Sequence, residues 1–194
     1  LNLEFQTKMN SIGEDVINGI TESISIAEKD YRGLVIGNQG AHFSAGADIS
    51  MIFMLAAEQE YKDLNLAIHT FQQTTMALRY SNIPVVVATH GFTFGGGCEL
   101  AMHADAVQSA AETYMGLVEI GVGLIPGGGG TKEMALRASD SYYSGDIELP
   151  KLKEAFLNIG MAKVSTSAHE AFDLGYLRKG FDEITINSNL LIKD

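Results

Sequence analysis

Two short apolar runs, "GLVIGN" at residues 33 to 38 and "PVVVAT" at 84 to 89, most constrain what this chain can fold into. Neither alternates polar and apolar residues, so each reads as a strand buried on both faces, the habit of strands in a parallel sheet. Parallel neighbours need a long crossover, and residues 60 to 80 supply one: Leu64, Ile68, Phe71, Thr75 and Leu78 recur at helical spacing. Pro84 requires that helix to end before it. The alternation continues on either side. "LNLEFQ" is strand-like; Ser11 and Glu14 have capping-box spacing ahead of the stripe Val16, Ile20, Ile24 and Ala27. "CELAMHA" reads as a short helix, "DAVQSA" as a strand and "TKEMALRA" as a helix, followed by a polar, turn-rich stretch, "SDSYYSGDIELP". Ser167 and Glu170 form a second capping box, for a helix that Gly175 ends. The expected class is α/β, with a largely parallel sheet and helical crossovers.

Composition narrows the function. A length of 194 residues with 46% hydrophobic content suits a single domain, 1–194, with one sizeable core. Charged residues are 19%, which argues for order, and a net charge of -11 without any basic run argues against nucleic acid. Cys98 is the single cysteine, so no internal disulfide is expected. No signal peptide and no apolar run long enough to span a bilayer is evident, and a reducing compartment, the cytoplasm, is expected. The five histidines lack metal-site spacing, so no metal is expected.

The chemistry-bearing residues sit in three glycine-containing stretches: "HFSAGADI" at 42 to 49, "GFTFGGGCELAM" around Glu99, and "MGLVEIGVGLIPGGGG" around Glu119. The last is not a dinucleotide fingerprint, since its third glycine falls late and Pro126 interrupts the entry to a helix. Thr131 precedes Lys132, the wrong order for a phosphate-cradling loop, and Ser44 lacks the upstream glycine of a nucleophile elbow. Backbone-donor chemistry remains. Three glycines running into an apolar helix leave unpaired N–H groups where a substrate can approach, next to a carboxylate. Two acids beside such donors suit proton transfer on a thioester.

These three segments, in this order and at these separations, resemble the signatures of the enoyl-CoA hydratase/isomerase (crotonase) superfamily. The likeness is close from about Leu3 to Thr131 and looser through "KVSTSAHEAFDLGYL". It implies a crotonase (ClpP-like) fold of repeated ββα units, with a C-terminal helical region that mediates trimer formation. It further implies an oxyanion hole from the amides of Ala47 and Gly96, gripping the thioester carbonyl of an acyl-CoA. Glu99 matches the carboxylate that activates water, and Glu119 the acid that serves the α-carbon. Ala45, Asp48 and Ile49 lie where family members hold the CoA moiety. Hydration of 2-enoyl-CoA to 3-hydroxyacyl-CoA in fatty acid β-oxidation is the implied reaction, and it needs no cofactor. A Δ3,Δ2-enoyl-CoA isomerase using Glu119 alone and a non-catalytic acyl-CoA-binding scaffold are the alternatives.

On residue chemistry, Glu99 in a first helical turn is favoured as the anion, and Glu119 in an apolar run as the protonated partner. An exposed Glu119 paired with a lysine is the plain structural alternative. Met51 and Met54 read as core rather than pocket lining, and Lys8 and Lys62 are the candidate partners for CoA phosphates. His90 stands where family members often have asparagine. The insertion "SDSYYSGDIELPKLKEAFLNIG" resembles the hydratase region of bacterial fusion proteins that also carry a 3-hydroxyacyl-CoA dehydrogenase, to which any NAD would belong. Both ends look cut: Leu1 opens straight into a strand, and "NSNLLIKD" reads as the start of another helix. A piece of a longer protein with a truncated helical region is expected, and a trimer or dimer of trimers once the last helices are present.

Overall fold

The computed structural model describes residues 1–187, so the helix expected to begin in "NSNLLIKD" falls almost wholly outside the described residues. Five parallel strands form one sheet in chain order: β1 (Asn2–Glu4), β2 (Leu34–Gly37), β3 (Val85–Phe94), β4 (Ala106–Gly116) and β5 (Glu183–Thr185). Helices carry each crossover: α1 (Glu14–Asp30) between β1 and β2, α2 (Ile49–Ala57) and α3 (Tyr61–Arg79) between β2 and β3, and α4 (Gly96–His103) between β3 and β4. Then α5 (Gly130–Asp140), α6 (Glu148–Gly160) and α7 (Ala168–Asp173) lead to β5. The two apolar runs are adjacent strands, with Leu34 opposite Val85 and Ile36 opposite Val87.

The stripe read on the first helix is the buried face of α1, where Val16, Ile20, Ile24 and Ala27 all enter the core. Its capping box does not form. Gly13 occupies the N-cap position without a side-chain bond, because Ser11 lies two residues too early, at the end of the short helical turn at Lys8–Asn10. The second box forms by half: Ser167 Oγ accepts from the Glu170 N–H at 3.3 Å, while Glu170 itself reaches Thr166. Gly175 follows α7 with φ 81, as expected.

β3 and β4 run well past the segments that read as strands. Their pairing is interrupted between Thr89 and Gly91 and then resumes, so that Phe94 lies opposite Gly116. The extra residues contain glycine and polar side chains, which hide a strand from pattern reading. This extension carries the chain to both acids, since α4 begins just after β3 and the Glu119–Val122 turn just after β4. All eight residues of α4 are buried between the sheet and α3 and α5, which is why the helix reads as apolar all round. By contrast α2 has no buried residue, and Phe53 and Met54 are exposed, so the methionine stretch is not core. Among the described residues no helix is long and apolar enough to cross a membrane.

Gly97 marks the tightest contact between α4 and the loop after β2. A Cβ there would lie 2.7 Å from Ser44 Cβ, and Ser44 is held by its hydroxyl, which donates to Asn10 O at 2.7 Å and accepts from Gly46 N–H at 3.1 Å. Alanine at 97 gains up to ~1 kcal/mol of helix propensity, but overpacking a rigid site costs about 1–3 kcal/mol. Gly97→Ala is therefore expected to lower the urea midpoint of unfolding. An unchanged or higher midpoint would show that this contact is loose.

Candidate active site

Gly95 turns the chain from β3 into α4 with φ 49 and ψ -121, a conformation that suits glycine and that aims the next amide off the helix end. Its own N–H is tied to Gly116 O at 2.8 Å. The loop after β2 comes alongside. Ser44 pairs with Thr93, and Ile12 brackets Ala47, its N–H donating to Gly46 O at 2.9 Å and its carbonyl accepting from Asp48 N–H at 3.0 Å. That pattern turns the Ala47 amide away from Ile12. Among the described residues, neither the Ala47 nor the Gly96 N–H has a backbone acceptor. The two lie side by side: a Cβ built on Gly96 would sit 3.3 Å from the Ala47 nitrogen, and one built on Gly46 would sit 3.6 Å from the Gly96 nitrogen.

Both acids come to this spot. Glu99 is 2% exposed, and its Oε1 accepts from the Gly130 N–H at 2.8 Å. Burial, with the facing Glu119 adding to it, pushes its carboxyl up to about 8, against the pull of the Gly128, Gly129 and Gly130 amides. Glu119 reaches Gly95, where a Cβ would lie 3.0 Å from its Oε1. Both of its carboxyl oxygens are buried and without a hydrogen-bond partner, and burial pushes it up to about 7. The exposed, lysine-paired Glu119 is thereby excluded.

The first-turn position that favours a Glu99 anion is opposed by its burial. A place in the first helical turn is worth about 0.3–1 kcal/mol to an anion. A rise from 4.5 to about 8 corresponds to roughly 5 kcal/mol in the other direction, so burial wins. Two carboxyl groups this close titrate as a pair.

The residues expected near CoA lie in the loop after β2 and at the start of α2. Ala45 and Ile49 are exposed, and Asp48 accepts from the Ser50 N–H at 3.0 Å, which makes it the N-cap of α2. Lys8 and Lys62 are exposed on the surface. His90 Nε2 lies 2.8 Å from Gly40 O, within β3 where its pairing with β4 is interrupted.

Sequence reasoning missed a charged hub behind Glu99. Glu133 is 2% exposed and is contacted by Arg79, by Lys132 Nζ at 3.0 Å and by Arg137 Nε at 3.7 Å. Burial alone would raise its carboxyl, and the surrounding cations outweigh burial and hold it below the usual range. His103, pushed down to about 4 by burial, is neutral and donates from Nδ1 to the Glu99 carbonyl at 2.7 Å. Its Nε2 then accepts from Lys132 at 3.0 Å. These residues lie on three different helices, and no spacing within one segment announces them.

Surface depressions lie elsewhere, one lined by His169, Phe172 and Lys179, the other between α5 and α6. The acids have the Phe71 ring beside them, 3.2 Å from a Cβ built on Gly96. Among the described residues no three His, Cys, Asp or Glu side chains cluster to hold a metal ion.

The architecture is the crotonase fold. An enoyl-CoA hydratase from a Polaromonas species superimposes with TM-score 0.80 at 22% identity, over 99% of this chain and 69% of that one. An enoyl-CoA hydratase from Thermoplasma volcanium superimposes with TM-score 0.73 at 27% identity, over 96% and 67%. The enoyl-CoA hydratase/isomerase family model matches residues 1–141, and the chain belongs to that family. It is 43% identical over 192 residues, 99% of its length, to the "Probable 3-hydroxyacyl-CoA dehydrogenase" of Bacillus subtilis. It is 38% identical over 131 residues to the fatty acid oxidation complex subunit alpha of Shewanella oneidensis. The chain spans only 24% and 18% of the lengths of these two relatives.

Proposed function

We propose that this domain hydrates 2-enoyl-CoA thioesters to 3-hydroxyacyl-CoA in fatty acid β-oxidation. The observation that carries the proposal is the meeting of two unused amides, Ala47 and Gly96, with two buried carboxyl groups, Glu99 and Glu119. The thioester carbonyl accepts from both amides, and the negative charge of the enolate develops on that oxygen. A fixed donor of this kind is worth about 3 kcal/mol in the transition state. Hydration places OH on the β-carbon and H on the α-carbon. One carboxylate takes a proton from the attacking water while the other carboxylic acid delivers its proton to the α-carbon, so a pair holding one proton is the working state. Values of about 7 and about 8 keep that state populated near neutrality. Glu99 serves the water and Glu119 the α-carbon. Ala45, Asp48 and Ile49 contribute to the CoA side, Asp48 through the start of α2.

The larger protein is part of the proposal: a 3-hydroxyacyl-CoA dehydrogenase, with its NAD, would consume the product, in a cytoplasmic homo-oligomer completed by further C-terminal helices. Hydration itself requires no cofactor in this scheme. The full-length protein, given crotonyl-CoA and the corresponding 3-enoyl thioester in separate assays, is expected to form the 3-hydroxyacyl product from the first. Turnover of the 3-enoyl substrate without hydration would make it an isomerase. Tight thioester binding with turnover of neither would make it a scaffold.

A further inference from the structure

We propose that one face of α3, carrying Phe71, Gln72 and Thr75, positions the Glu99 carboxyl group by clamping the glycine loop at 127 to 130 and closing it against water. Gln72 Nε2 donates to Gly127 O at 2.6 Å. Thr75, 1% exposed, places its Oγ1 2.9 Å from Gly128 O, with the carbonyl of Gln72 on its own helix at the same distance. In a trans peptide the C=O and the following N–H point in opposite directions. Drawing the Gly127 and Gly128 carbonyls toward α3 therefore turns the Gly128 and Gly129 amides away from it, toward Glu99, in line with the Gly130 N–H bond at 2.8 Å. Gly128 has no side chain to fill the gap that remains, and Phe71 does so instead. A Cβ built on Gly128 would lie 2.5 Å from both Phe71 Cδ1 and Glu99 Oε2.

The two parts of the clamp act on the carboxyl with opposite sign. The amides stabilise the anion, and the phenyl ring removes water that would stabilise it. Titratable groups facing Glu99 are Glu119, from the turn after β4, and Cys98 on α4. His103 binds the Glu99 carbonyl, with Lys132, Glu133, Arg79 and Arg137 behind it from α5 and α3. None of these residues is itself altered in the variants of Phe71, Gln72 or Thr75.

This inference rests on Glu99 being a working acid, and its test reads the carboxyl directly. Glu99 in the full-length protein is titrated by carbon-13 NMR of labelled glutamate, with Glu99→Gln identifying its signal. Thr75→Val is expected to move the titration up by about half a pH unit or more, Phe71→Ala to move it down by about one, and Thr75→Ser to leave it in place. Gln72→Met, which leaves the core alone, repeats the upward shift if Thr75→Val fails to fold. Shifts of the same sign in Phe71→Ala and Thr75→Val, or none in folded variants, overturn the clamp. Opposite shifts in a protein that does not hydrate enoyl thioesters uphold the clamp and sink the hydratase reading instead.

Discussion

Replacing Glu119 with glutamine is expected to stop hydration of crotonyl-CoA while thioester binding survives. The amide has nearly the shape of the acid but cannot deliver or take a proton. No protein hydrogen bond is lost, because neither carboxyl oxygen has a partner. Removing a positioned general acid or base costs about 10²- to 10⁴-fold in rate. The loss should appear in kcat, with the dissociation constant for a 3-hydroxyacyl-CoA nearly unchanged. A second consequence follows from the coupling: with Glu119 uncharged, the Glu99 carboxyl titrates lower than in the parent protein. Hydration at the parent rate by Glu119→Gln would remove residue 119 from the mechanism.

Glu99→Gln is expected to make the protein more stable above neutrality, at the expense of activity. In the folded chain the Glu99 carboxyl is raised from 4.5 to about 8. Between those values the folded state binds a proton that the unfolded chain has released, so stability falls as pH rises through this window. The full rise corresponds to roughly 5 kcal/mol as an upper bound, lost progressively until the folded group itself ionises near pH 8. Glu119 contributes in the same sense up to about 7. Glutamine at 99 removes the larger share of this slope. Urea unfolding of both proteins at pH 5 and pH 8.5 measures it: the variant should gain a few kcal/mol more at the higher pH. An equal difference at both pH values would mean that Glu99 is not buried as an acid. Glu133 works the other way, since its cations hold it ionised and its stabilisation is lost only on acidification.

Much of this site was legible before any coordinates. The glycine stretches of 42 to 49 and 91 to 97 pointed to exposed amides, and the structure brings Ala47 and Gly96 within a few ångströms of each other. The buried strands and the α1 stripe were legible for a simple reason: an element buried on one face or two has a fixed hydrophobic period. Where the period is broken, reading fails. The outer halves of β3 and β4, with "HGFTF" and "AETYMG", mix glycine, polar and aromatic residues on an edge that is half-buried. Residues 139 to 150 looked turn-rich, yet α6 begins at Glu148 and exposes Leu149 and Phe156. The tract from Gly127 to Gly130 fitted no nucleotide-binding pattern. It is the loop that binds Glu99, and its meaning lies in Thr75 and Gln72, more than fifty positions away.

The order of residues alone determined the class of fold and the family and singled out two acids, because each depends on patterns within a short window: hydrophobic period, glycine before a helix, a carboxylate at a set spacing. That both acids are raised toward neutrality was decided only in three dimensions. A helix end favours the Glu99 anion by a modest local amount, whereas the Phe71 ring, the closed α4 and the facing Glu119 oppose it more strongly from elements distant in the chain. Burial is a property of the assembled core, and no single segment carries it.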